Sequence, residues 1–214
     1  MSQVVRVMGF AVMLCLWSIG VSAQKVESLN PWETGDRATY KWTMGAKALT
    51  IEEEFGSGGG GILAYSQKTA ERTYDMRTQM SPMLHLAGPC LSNGQQCSFA
   101  PGIAGLELPA EKGRKWTTAF TVTGETFTAD VTQERVVDKV EKVKTPAGEF
   151  EAFKVNFNGR IKGKDSKGGS FTGKEDGSDW FAVTPSGKLV LVKHVYRNSF
   201  GEKAARELQL LAFK

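Results

Sequence analysis

Apolar and polar residues alternate with a period of two along most of the chain, and that period belongs to strands rather than helices. Ala38, Tyr40, Trp42 and Met44 alternate with Arg37, Thr39, Lys41 and Thr43. Trp116, Thr118, Phe120 and Val122 alternate with Thr117, Ala119, Thr121 and Thr123, and Phe153, Val155 and Phe157 with Ala152, Lys154 and Asn156. The first set of each run is expected to face a core, and the second water or another layer. Leu189, Val190, Leu191 and Val192 make both faces of one strand apolar, so a cover is expected on each side of it.

The connectors carry hairpin chemistry. Gly124-Glu125 falls between two alternating runs, and Asn158-Gly159 is the favoured dipeptide of a type I′ turn. Thr145-Pro146-Ala147-Gly148 and Thr184-Pro185-Ser186-Gly187 place Pro where a turn fixes φ, with Gly two residues on. Short strands joined in this way predict a largely antiparallel meander. Residues 202–214 contain good helix formers, yet Leu208, Leu210 and Ala212 alternate, and a final strand is expected there. The Met-, Pro- and Gly-rich stretch from Met76 to Pro101 reads as a long excursion from the sheet. Gly56 to Gly61 holds five glycines in six residues and reads as a hairpin tip or linker.

One passage echoes another. Pro31-Trp32-Glu33-Thr34-Gly35-Asp36-Arg37 and Pro109-Ala110-Glu111-Lys112-Gly113-Arg114-Lys115 keep Pro, Glu, Gly and a basic residue in register, and each leads into an aromatic-alternating strand. Two related sheet halves would explain the echo. A recurrent strand-opening turn explains it with fewer assumptions and is the preferred account.

Composition changes the picture at the N-terminus. Arg6, the uncharged apolar run Val7 to Val21 and the small-residue site Val21-Ser22-Ala23 form a secretory signal, with Gln24 as the expected new terminus. The run is shorter than the about 20 apolar residues of a spanning helix, so no transmembrane anchor is expected after cleavage. Met13-Leu14 before Cys15 is unlike a lipid-attachment motif. Removing residues 1–23 of the 214 leaves 191, enough for a single β-rich domain over 24–214 with a core of its own. The formal charge of +4 is small and spread along the chain, which argues against a nucleic-acid partner. A periplasmic or secreted location is expected. There, Cys90 and Cys97, with Asn93-Gly94 between them, read most simply as a disulfide.

A family resemblance lies in the second half, over Leu106 to Lys214. Its residues are Leu108-Pro109 with Gly113 and Trp116, the Thr145–Val155 run through Pro146-Ala147-Gly148 and Phe153, then Trp180-Phe181 before Thr184-Pro185-Ser186-Gly187, and Glu207-Leu208. This half resembles a family of exported bacterial proteins carrying a domain of unknown function, related in fold to the lipoprotein carriers LolA and LolB. The first half matches only at Gly35-Asp36 and Tyr40. The resemblance implies an open half-barrel, a curved antiparallel sheet with little helix whose concave face suits an acyl chain. It brings no catalytic motif and no cofactor, and the matching positions define a fold rather than a site.

No residue is assigned to catalysis, cofactor or metal. His85 and His194 are the two histidines after the signal, and no Gly-X-Ser-X-Gly elbow accompanies them. His194 reads as a packing or surface residue and His85 as part of the excursion. Glu52 and Glu54 suit a solvated sheet edge, and Glu175, Asp176 and Asp179 a charged turn. Arg160, Lys162, Lys164, Lys167 and Lys174 suit a solvated Gly- and Ser-rich hairpin, with an anionic envelope polymer or lipid headgroup as the sharper alternative. Met76, Met80, Met83, Leu84 and Leu86 form an adaptable apolar segment, a candidate lid or ligand contact. The leading expectation is a non-enzymatic envelope protein binding a lipid or other apolar ligand in a curved sheet. A module that binds an envelope protein is the second, and a hydrolase with an unrecognised site the third.

Overall fold

The computed structural model describes the backbone of residues 25–45, 47–57, 62–68, 73–80, 84–92, 95–199 and 206–214, and their side chains apart from 44, 47, 49 and 57–97. The segment read above as a secretory signal, Met83 and the Asn93-Gly94 dipeptide lie outside the described residues. The described elements are all strands: β1 (Arg37–Met44), β2 (Lys47–Ser57), β3 (Ile62–Lys68), β4 (Thr73–Met80), β5 (Leu84–Ser92), β6 (Gln95–Ala104), β7 (Lys115–Gly124), β8 (Phe127–Thr145), β9 (Gly148–Asp165), β10 (Ser170–Val183), β11 (Leu189–Asn198) and β12 (Arg206–Phe213).

Alternation decides which face each strand buries. On β7, Trp116, Thr118 and Phe120 are buried and their neighbours exposed. On β8 the buried set is Ala129, Val131, Gln133, Arg135 and Val137, and on β9 it includes Phe153, Val155, Phe157 and Ile161. Nine strands in the order β6-β7-β8-β9-β10-β11-β12-β1-β2 form an open, curved antiparallel sheet, the half-barrel expected above. The remaining three, β3 to β5, run from the β2 edge to the β6 edge and carry the pairing on into a ring. The join is thin at β4–β5, where only Gln79 with His85 and Met80 with Leu84 are paired.

The turns at Gly124-Glu125, Pro146-Ala147 and Pro185-Ser186 fall where expected, and the tail is the strand β12. Asn158-Gly159 is different. It lies in the middle of β9, opposite Gln133-Glu134 on one side and Glu175-Asp176 on the other. The glycine serves close approach instead of a turn: a Cβ on Gly159 would sit 2.8 Å from the Glu175 Oε1 and 3.1 Å from Gln133 Cγ. The Met76 to Pro101 excursion proves to be the backbone of sheet strands β4 to β6. Nor do Glu52 and Glu54 mark an edge, since β2 is paired on both sides.

The apolar strand β11 is covered on both sides, as expected. Leu189 packs with Leu106, Ala110, Trp116, Phe153 and Phe181 on one side of the sheet. Val190 and Val192 pack with Tyr40, Ile51, Ala152, Ala182 and Leu210 on the other. The tip of the long β8–β9 hairpin folds over to reach β12, with Ala147 N–H donating to the Leu210 carbonyl at 3.4 Å.

The two echoing passages form the same turn. Gly35 and Gly113 take positive φ values of 94° and 88°, a region glycine enters without strain. Gly35 N–H donates to Phe55 O at 2.7 Å and Phe55 N–H to Asp36 O at 2.9 Å; Gly113 N–H donates to Val137 O at 2.8 Å and Val137 N–H to Arg114 O at 2.9 Å. Trp32 stacks on Phe55 at 4.0 Å, and at the matching places Ala110 and Val137 share one cluster. Each turn opens a run of six strands, β1–β6 and β7–β12. The turn is recurrent, as preferred above, and it recurs at the head of two equal halves.

Candidate functional site: a polar band across the inner face

The inner face of β8–β10 is banded along the strands. At one end Phe120, Ala129, Val131 and Ile161 are buried, with Phe127 and Phe171 packed against them. At the other end Val137, Val155, Phe153 and Phe181 form a second apolar cluster. Between the two lie Gln133 and Arg135 from β8, Glu175 and Asp179 from β10, and His194 and Tyr196 from β11.

Burying ionised groups is costly unless each finds a partner, and nearly every one here does. Arg135 Nη1 donates to Gln133 Oε1 at 2.7 Å, and Nη2 donates to Asp179 Oδ2. The side chains of Arg135 and Asp179 are 2% and 9% exposed. Gln133 Nε2 donates to Glu175 Oε1 at 2.6 Å, Tyr196 Oη donates to Glu175 Oε2 at 3.0 Å, and Asn198 Nδ2 donates to Tyr196 Oη at 3.2 Å. The Arg135 guanidinium lies 4.9 Å from the Phe157 ring centre and 5.9 Å from that of Trp116, a charge seated between aromatic faces. Among the described residues no acceptor meets the buried Arg135 Nε.

His194 Nδ1 lies 2.5 Å from Asp179 Oδ1. Burial pushes the Asp179 carboxyl up, but Arg135 and His194 together outweigh it and hold it below the usual carboxylate range. An ionised carboxylate only accepts, so Nδ1 carries the hydrogen in this bond, and among the described residues no hydrogen bond reaches Nε2. Glu175 differs from Asp179. Its burial dominates over the hydrogen bonds from Gln133 and Tyr196 and raises it above the ordinary glutamate value. Burial, and then the charge of Glu175, raise the Tyr196 phenol as well. Phe157, His194 and Tyr196 lie nearly parallel, with ring centres 6.1 to 6.4 Å apart. The Arg206 guanidinium is 5.8 Å from the Tyr196 ring.

Two acids read as a charged turn are therefore misplaced: Glu175 and Asp179 are strand residues facing inward, and Asp176 alone of the three is exposed. The signal was present in their phase. Glu175 and Asp179 keep step with Phe171 and Phe181, as Gln133 and Arg135 keep step with Val131 and Val137. His194 is neither free at the surface nor a simple packing residue, because Asp179 orients it. This pair could position a proton at Nε2, but among the described residues no Ser, Thr or Cys side chain is joined to it as a nucleophilic triad requires. Of the candidate lid residues, Met76 and Met80 belong to β4 and Leu84 and Leu86 to β5, while Met83 is outside the described residues. His85 is also in β5, on strands distant in sequence from His194. Cys90 and Cys97 stand directly opposite each other in the β5–β6 register.

No protein-family profile matches the chain, and no curated protein matches it. Two solved structures do. A candidate exported protein with a YmcC-like fold from Bacteroides fragilis is 14% identical over 88% of this chain and 99% of its own, with a TM-score of 0.44. A candidate lipoprotein from Parabacteroides distasonis is 14% identical over 89% of this chain and 100% of its own, with a TM-score of 0.54, and what this chain shares with it is the fold.

Proposed function

We propose that the chain is an exported envelope protein that holds an elongated amphiphile, a lipid-like molecule with an apolar body and a polar head, along the inner face of its sheet. The banding of that face carries the reading. An apolar stretch from Phe120 to Phe171 would take the body. The neighbouring polar band would meet the head with His194, whose side chain is 27% exposed. The secretory signal at residues 1–23 and the resemblance to exported proteins related to lipoprotein carriers support the location. The ring of strand pairing leaves no free sheet edge among the described strands, so a protein partner recruited by strand addition has less in its favour.

The test is native mass spectrometry of the mature protein from an exporting host, followed by organic extraction. Co-purified lipid or fatty acid that is lost in Val131→Trp, which fills the apolar stretch, supports the reading. A clean apo mass, with no uptake of offered phospholipids or fatty acids, overturns it and turns attention to protein partners.

A further inference from the structure

The outer face of the β9–β10 hairpin is an array of cations. Arg160, Lys162 and Lys164 occupy alternate positions on β9 and are exposed on one face. Lys174 on β10 is paired with Arg160, and Lys167 sits in the connecting turn. Opposite Lys162 and Lys164 on β10 stand Thr172 and Ser170, and on β8 Asp130 and Thr128. Two of the nearby acids, Asp130 and Asp165, are engaged elsewhere by hydrogen bonds. Asp130 accepts from the Thr121 hydroxyl at 2.8 Å, and Asp165 accepts from the Lys167 and Gly169 N–H groups at 2.9 and 2.8 Å. None of the ion pairs among the described residues involves Arg160, Lys162, Lys164 or Lys174.

The other face of the same hairpin is apolar. Ile161 is buried between the cation positions in sequence, and Phe171 meets Phe127 edge-on at 6.5 Å. Gly163 leaves room for the Phe171 ring to lie across β9. The turn after Asp165 is bound to the β7–β8 turn, with Ser166 N–H donating to Thr126 O at 2.8 Å. Cations on the outside and aromatic residues on the inside therefore share one end of the sheet, where the apolar stretch of the inner face also ends.

We propose that this end docks on an anionic phospholipid membrane, the cations of Arg160, Lys162, Lys164 and Lys174 facing the headgroups while the Phe127–Phe171 end of the apolar stretch opens toward the lipid. A membrane fits better than a soluble polyanion because the apolar face ends beside the charges; a polymer would use the charges alone. The inference rests on the amphiphile-binding reading for its purpose, but docking is measured separately from ligand content. Each cation at an anionic surface is worth roughly a fivefold gain in partition, and the attraction falls within a Debye length.

The experiment is flotation of the mature protein with vesicles of phosphatidylglycerol and phosphatidylethanolamine, and with phosphatidylcholine alone, at low and high salt. Expected are binding to the anionic vesicles, loss at high salt, and a fall of more than about a hundredfold in Lys162→Glu/Lys164→Glu/Lys174→Glu. Circular dichroism confirms that this surface variant folds. Equal binding by the variant, no binding by the wild type, or equal retention on dextran sulfate would each overturn the proposal. A wild type that floats yet carries no lipid by mass spectrometry keeps the docking and removes the amphiphile.

Discussion

Arg135 and Asp179 are bonded to each other across an entire intervening strand. Their strands, β8 and β10, both flank β9, and the guanidinium passes over the ring of Phe157 to reach the carboxylate. The crossing is open because Phe157 faces Gly177 on β10 and its ring lies flat over that glycine. Two glycines thus shape the band, Gly177 under Phe157 and Gly159 under Glu175.

Truncating Arg135 leaves the buried Asp179 carboxylate with only His194 beside it, and truncating Asp179 leaves the buried Arg135 guanidinium without its carboxylate. Arg135→Met or Asp179→Leu alone is expected to cost about 3–5 kcal/mol, whereas Arg135→Met/Asp179→Leu together should cost clearly less than the sum. Urea unfolding of the three variants measures this. Additive losses would mean that the two residues do not act as a pair.

Glu175 and Asp179 should give the stability profile two slopes of opposite sign. Asp179 is held below its unfolded value, so its contribution is present above that value and is lost as pH falls through the folded one. Glu175 is raised, so its favourable contribution is complete below its unfolded value, about 4.3, and is lost as pH rises through the folded value. Glu175→Gln is therefore expected to flatten the decline above about pH 4.3 and to leave the acid limb unchanged. Denaturation midpoints across that range decide it, and an unchanged decline would count against a buried Glu175.

Gly177→Ala is expected to destabilise by about 1–3 kcal/mol, because its Cβ would press on the Phe157 ring and on the Val195 carbonyl oxygen. Gly113→Ala differs in kind. Nothing lies within 4 Å of a Cβ there, and only the strain of φ near 88° acts, roughly 1 kcal/mol. Thermal melts separate the two, and tryptophan emission should move only in Gly177→Ala.

Cys90 and Cys97, opposite each other in the β5–β6 register, are at a spacing that antiparallel neighbours share with disulfides. Protein recovered from an oxidising compartment should yield a Cys90–Cys97 peptide two hydrogen masses lighter than after reduction. The short loop it closes predicts about 2–3 kcal/mol lost on reduction. Free thiols in the exported protein would refute the bond.

The fold was legible wherever the two faces of a strand differ in polarity. Trp116, Thr118 and Phe120, or Ala38 and Tyr40, announce their strands because one face meets the core and the other meets water. Asn158-Gly159 misled because the same dipeptide suits a tight turn and a place where two side chains must cross a strand. Glu175 and Asp179 misled because isolated acids ordinarily lie in water. Gln133 and Arg135 on β8, with His194 and Tyr196 on β11, make burial tolerable, and such pairings across strands have no local signature. The twin turns at Gly35 and Gly113 were visible as a motif. Their equivalence became clear only from the bonds to Phe55 and Val137, which come from later strands.

The ring of pairing joins the beginning of the sheet to its end. Arg37 N–H donates to Lys214 O at 2.8 Å and Lys214 N–H to Arg37 O at 2.9 Å, so β1 takes its second neighbour from the last strand in sequence. While the chain is being made or threaded, β1 has only β2 beside it, and the edge bearing Tyr40 and Trp42 stays open until Phe213 has arrived. Such an edge is a template for wrong pairing. Until the last strand arrives that edge stays unpaired, and a chain stalled before residue 206 would be open to joining its β1 to that of another copy.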